Sequence, residues 1–181
     1  AVLGFADPDS ALTHMRRLTA GIGRTATVQR ALLPVVLHEL ADSPEPDRGL
    51  LAYRQVSDKL GGPPWYLRLL QDGGPPAVRL ARLLGTSRYF TSLLLHVPQS
   101  LRFLSDNADL RPVSRESLAS GMRQAAARHA DASAAVAAVR AIRRRELIRI
   151  AAADLLGLLD DQQVGLALSD LVDAVLDATL T

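Results

Sequence analysis

"RRRELIRIAAADLLGLLDDQQ", Arg143 to Gln163, places four arginines (Arg143, Arg144, Arg145 and Arg149) beside an apolar run that ends at a glycine and two aspartates. The apolar residues around it do not alternate. Val136, Val139, Ile142, Leu147, Ile148, Ile150, Leu155 and Leu156 recur at steps of three and four, the period of a helix. Together they go almost all the way round, so a helix from Asp131 to Leu156 is expected to be central and packed on several sides. Gly157 is its C′ residue, where a left-handed conformation suits glycine. Asp160 caps a last helix that runs to the end of the chain, and the two should form an antiparallel hairpin.

The same spacing recurs upstream, so the chain reads as all-α. Asp7 is an N-cap with Pro8 at the first helical position. A second helix covers about Thr25 to Leu40, with a kink or break near Leu33 because Pro34 lies inside it. Pro46 starts a third, whose apolar stripe is Leu50, Tyr53, Val56 and Leu60, with Arg54, Asp58 and Lys59 facing away. The breakers Gly61–Pro64 and Asp72–Pro76 bracket the short helix "WYLRLL". Short helices follow at about Ala77–Leu84, Ser87–His96 and Gln99–Ser105, separated by Gly85, with Thr86 as a cap, and by Pro98. "SDNADLRPVS" is the one long polar connection. Ser114 then caps a helix to about His129. No fixed repeat period appears, so the fold expected is an irregular multi-helix bundle. Residues 1–105 form a short-helix bundle, and 114–181 form three longer helices that include the hairpin 131–181, within one compact piece. The first residue is Ala, and "LDATLT" lies inside an amphipathic helix, so a fragment of a longer protein is expected.

Composition excludes several functions. Over 181 residues, 48% are apolar and only 4% aromatic, so the core is aliphatic. No cysteine is present, which excludes disulfides and thiolate metal sites and suits a reducing cytoplasm. The first residues lack a signal peptide's basic start and long apolar run. No stretch approaches the roughly 18 apolar residues needed to span a bilayer, so no membrane association is expected. A net charge of +2 is too small for bulk charge to argue for nucleic acid, and no nucleic-acid partner is expected.

Catalytic patterns are absent too. His14, His38, His96 and His129 lie on four different helices without partners at metal spacing. Asp170, Asp173 and Asp177 follow one another at helical steps, which makes a solvated acidic ridge. Catalytic, cofactor-binding and metal-binding residues are therefore expected to be none. Folding the hairpin would bring Arg144 and Arg145 near Asp173 and Val172, and Arg140 near Asp177. The candidates for a partner-facing surface are Arg144, Arg145 and Arg149, and those for structure are Asp154 and Gly157. Asp154 sits between Ala153 and Leu155 with no basic residue three or four positions before it. It is expected to be buried and satisfied from another helix, while Arg145 lies on an exposed rim.

These residues also carry a resemblance. "RRRELIRIAAADLLGLLDDQQVGLALSDLVDAVLDATL" resembles a segment of the bifunctional glutamine-synthetase adenylyltransferase/adenylyl-removing enzymes. Ile148–Gly157 matches their Leu/Ile-Arg-Ile-Ala-x-x-Asp-Leu-Leu-Gly pattern, and Leu168–Ala174 their Leu-Ser-Asp-Leu-x-(Asp/Glu)-Ala helix. "QRALLPVVLHELADSPEPDRGLLAYRQV" and "LLGTSRYFTSLLLHVPQSLRFL" are similar to helices further upstream, and "LGFADPD" to the entry of the second half of actinobacterial members. The resemblance implies a helical segment ahead of the C-terminal nucleotidyltransferase domain, non-catalytic and positioning that domain. It implies a parent transferase that adds and removes AMP on glutamine synthetase in nitrogen regulation. Magnesium and ATP would bind in the parent and not in this segment. Glutamine synthetase and a PII signalling protein would be partners through the parent enzyme, in the cytoplasm. A free-standing helical ligand- or protein-binding regulatory module is the other reading the residues leave open.

Overall fold

The computed structural model describes residues 4–71 and 74–180. All regular structure among them is helical. Asp72 and Gly73 of the second Gly-Pro breaker, and the terminal residues Ala1 and Thr181, lie outside the described residues. The chain divides into two compact units, one up to Asp106 and one from Asn107 onward.

The first unit holds α1 (Pro8–Thr19), α2 (Arg24–Ala41), α3 (Pro46–Leu60), α4 (Pro64–Leu70), α5 (Pro75–Thr86) and α6 (Arg88–His96), then a 3-10 segment at Pro98–Ser105. Four of these helices begin with proline, where the missing N–H would have had no intrahelical partner anyway. The Asp7 carboxylate accepts the Ser10 amide at 3.0 Å and caps α1. Two sequence expectations need correction here. The helix α2 runs unbroken through Pro34, because its flanks Leu32, Val36 and Leu40 are buried and hold the turn in place. The cap after Gly85 is Ser87, not Thr86, since α5 continues through Gly85 and Thr86 and the Ser87 hydroxyl accepts the Phe90 amide.

The core of this unit is leucine with two tyrosines. Leu50, Tyr53 and Val56 of α3 are fully buried, as the stripe predicts, against Leu80, Leu83 and Leu84 of α5. Arg54, by contrast, is mostly covered, with 14% of its side chain exposed and Asp58 accepting its hydrogen bond at 2.8 Å. Burying two phenols requires partners. Tyr53 donates to Gln29 Oε1 at 2.9 Å, the Tyr66 and Ser57 hydroxyls share a bond of 2.8 Å, and Gln29 Nε2 closes the group on Ser57 at 3.4 Å. Burial raises both phenol pKa values above the ordinary range.

The helices α3 and α5 approach so closely that only glycine fits. A Cβ on Gly49 would lie 2.9 Å from the Gly85 Cα and 2.5 Å from Leu40 Cδ2.

The second unit begins with a short 3-10 turn, Ala108–Leu110, followed by α7 (Arg115–Ala126), α8 (Ala132–Leu155) and α9 (Asp161–Thr179). Ser114, Asp131 and Asp160 cap the three helices as expected. α7 stops at Ala126, so His129 lies beyond it and not on a helix. Asp160 and Gln163 form a reciprocal capping box. At the other end of α8, Gly157 adopts a φ of 69°. Its amide donates to Asp154 O and the Leu158 amide to Ala153 O, both at 2.8 Å. This is a Schellman closure on the glycine the sequence singled out. Leu118, Ala119 and Met122 of α7 meet Val139 and Ile150 of α8 and Ala167, Leu171 and Ala174 of α9 in one small core.

Two glycines in helices should therefore respond oppositely to alanine. Gly49→Ala should destabilise the chain by about 1–3 kcal/mol, because backbone blocks the new methyl. Gly121→Ala in α7 meets nothing within 4 Å and should stabilise by about 0.5–1 kcal/mol. Urea denaturation of both variants reads the signs.

Candidate functional site

The arginines of α8 divide into two groups by burial. Arg140, Arg143, Arg144 and Arg145 are exposed. Arg149 keeps only 15% of its side chain exposed. The helix itself is not packed all round: its amino-terminal half leaves Val136 at 38% exposure, while Ile148, Ile150, Ala152 and Ala153 are buried. The expectation of a central helix holds for its second half alone. Half of the residues in the first half are alanine, too small to form a broad apolar face against neighbours.

Arg149 is occupied within its own unit. Its Nε donates to Glu146 Oε2 at 3.0 Å. One of its terminal nitrogens donates to the Asp109 carbonyl and, at 3.5 Å, to that of Arg111. Glu146 is 3% exposed, and its second carboxylate oxygen accepts the Val113 amide at 2.8 Å. One buried ion pair thus takes two carbonyls and one N–H from the segment 109–113, which has no regular structure beyond Leu110. That segment is the later part of the polar connection "SDNADLRPVS", and the pair fastens it to α8. A buried carboxylate needs hydrogen-bond partners, and this one has two.

The buried carboxylate of this helix is Glu146, not the expected Asp154. Asp154 is exposed. Its neighbours Ala153 and Leu155 are adjacent in sequence, but residues one apart on a helix point about 100° away from each other. The face that matters is Val139, Ile142, Glu146, Ile150 and Ala153, at steps of three and four, and it lies against the core of the unit. Glu146 occupies the middle of that stripe. The signal was present as a charge at an inward register position, with an arginine three residues further on.

The acidic ridge also has definite partners. Asp173 pairs with Arg115 at 3.1 Å and Asp177 with Arg123 at 4.0 Å, both arginines of α7. These two carboxylates, four residues apart on α9, are each engaged with a guanidinium group. No group of three His, Cys, Asp or Glu residues that could hold a metal occurs among the described residues. His14, partly buried on α1, is held below the ordinary histidine pKa by burial first and by Arg54 next. In the first unit Glu45 accepts from Arg88 and Arg48, and the Arg88 bond is the main cause of its lowered pKa.

Two concavities lie in the second unit. One, of about 170 Å³, is lined by Asn107, Leu110, Arg111, Ala153, Leu158 and Leu159. It is smaller than the roughly 300–1,000 Å³ of most ligand sites. The other is a shallow trough on α8 between Ala132 and Arg144. No helix among the described residues is long and apolar enough to cross a membrane.

Comparison with known proteins adds an independent line. Residues 77–181 match the family described as glutamate-ammonia ligase adenylyltransferase. A bifunctional glutamine synthetase adenylyltransferase/adenylyl-removing enzyme of Cutibacterium acnes is 50% identical over 181 residues, which is 100% of this chain and 18% of that protein. The protein of the same name from Nocardia farcinica is 45% identical over 99% of this chain and 18% of its own length. That of Streptomyces coelicolor is 46% identical over 98% of this chain and 19% of its own length. The chain spans about a fifth or less of the length of the relatives it matches.

The buried pair sets an expected order of stability losses. Glu146→Ala strands Arg149 and the Val113 amide and should cost about 2–4 kcal/mol. Arg144→Ala, on the exposed side, should stay within about 0.5 kcal/mol. Asp154→Ala should be neutral or slightly stabilising, since it removes a negative charge from the last turn of a helix. Chemical denaturation of the three variants gives the order directly.

Proposed function

Because the chain belongs to the glutamate–ammonia ligase adenylyltransferase family, we propose that it is a non-catalytic helical segment of an enzyme that attaches AMP to glutamine synthetase and removes it. In this reading the segment stands ahead of a nucleotidyltransferase domain and sets that domain's position. Magnesium and ATP bind in that domain and supply the phosphoryl chemistry there. Glutamine synthetase is the substrate, a PII signalling protein is the regulatory partner, and the enzyme works in the cytoplasm.

The observation that carries this reading is how the chain uses its charges. Glu146 holds an arginine and a backbone amide, while Asp173 and Asp177 pair with α7. Charged groups committed to joining helices suit a scaffold, which needs a fixed shape more than reactive groups. The relatives' extra length leaves room for the chemistry elsewhere.

The test is direct. Incubated with magnesium, labelled ATP and glutamine synthetase, this chain alone should leave the synthetase unlabelled above a blank, while the full-length enzyme labels it. Labelling by the 181-residue chain would overturn the proposal. So would a full-length enzyme that transfers no AMP to the synthetase.

A further inference from the structure

The helix α9 is apolar on two sides. Ala167, Leu171 and Ala174 are buried in the core of the second unit. Roughly a quarter-turn away, Leu168, Val172 and Leu176 repeat every four residues and stay 39%, 54% and 49% exposed. Gly165, Ser169 and Thr179 fill the spaces between them, and from Gly165 to Thr179 no charged side chain falls inside this stripe. Asp173 stands at its edge and Asp177 further round the helix, held by Arg115 and Arg123. Scattered surface leucines need no explanation, but an aligned, charge-free row over three turns marks a contact surface.

We propose that this outer stripe of α9 is the seat of the catalytic part of the same polypeptide, docked permanently. The inference rests on the proposed function for the existence of that part. Three observations select this occupant. The relatives are more than five times as long as this chain, so most of the protein's surface lies outside it. Permanent interfaces are more apolar than those exchanged in each turnover, and a stripe without charge suits the first kind better than a substrate's visits. A second copy is disfavoured by charge. Antiparallel pairing of two α9 stripes would set the Asp173 edge of one beside that of the other, with like charges on the same side.

The chain has no cysteine of its own, and α9 provides an internal control. Val172 lies in the stripe and Leu166 outside it, at 54% and 64% exposure. In the full-length enzyme, Val172→Cys and Leu166→Cys would each be labelled with a maleimide and the rate read at that peptide by mass spectrometry. Cys at 172 should react at least about tenfold more slowly than Cys at 166. The difference should not vary with protein concentration or need added glutamine synthetase. Equal rates would overturn the proposal. Protection at 172 that grows with protein concentration would assign the stripe to a second copy, and protection that needs the synthetase would assign it to substrate; either overturns it. Neither readout depends on AMP transfer, so unprotected Val172 in an active enzyme would reject the docking surface and leave the proposed function standing.

Discussion

The second unit depends on a buried carboxylate. Glu146 lies on the inward stripe of α8 among Ile142, Ile150 and Ala153, where an unpaired charge would destabilise the fold by several kcal/mol. Arg149 and the Val113 amide make that position tenable. The same two partners draw the segment 109–113 onto the helix, through the carbonyls of Asp109 and Arg111. Burial therefore imposes the pair, and the pair organises a stretch of chain that has no helix of its own to order it.

Most of the helical framework was legible in the sequence, for reasons that are local. Asp7, Ser114, Asp131 and Asp160 cap because a short oxygen-bearing side chain just before an apolar-periodic run can reach the free amides of the first turn. Gly157 ends α8 because the Schellman closure needs a positive φ there. Local rules failed where a distant contact decided the outcome. Pro34 should disturb α2, but the packing of Leu32 and Val36 on either side keeps the helix continuous. Gly85 looks like a helix end, yet it is small to admit Ser43 and Gly49 at a crossing that no single segment discloses.

The candidate site was half legible. The stretch from Arg143 to Gln163 lies largely on the helix that carries the buried pair, and its arginines have different fates. Arg143 and Arg144 are on the exposed side, whereas Arg149 turns inward to the unit's own backbone. Sequence adjacency led to Asp154 as the buried acid, where helical register leads to Glu146. The acidic ridge of α9 reads as a solvated face, but Asp173 and Asp177 pair with arginines of α7, a helix separated from it by all of α8 in sequence. Pairing between non-adjacent helices is set by the way the three pack, which spacing along one chain does not encode.

The central claim is that Glu146 and Arg149 act as one structural unit and not as an exposed charge pair. A double-mutant cycle measures this most directly: urea denaturation of the parent chain, Glu146→Gln, Arg149→Met and the double variant. A coupling of about 2 kcal/mol or more is expected, with the double variant less harmed than the sum of the single losses. A coupling below about 0.5 kcal/mol, as for surface pairs, would contradict the claim and return Arg149 to the exposed arginines of the helix.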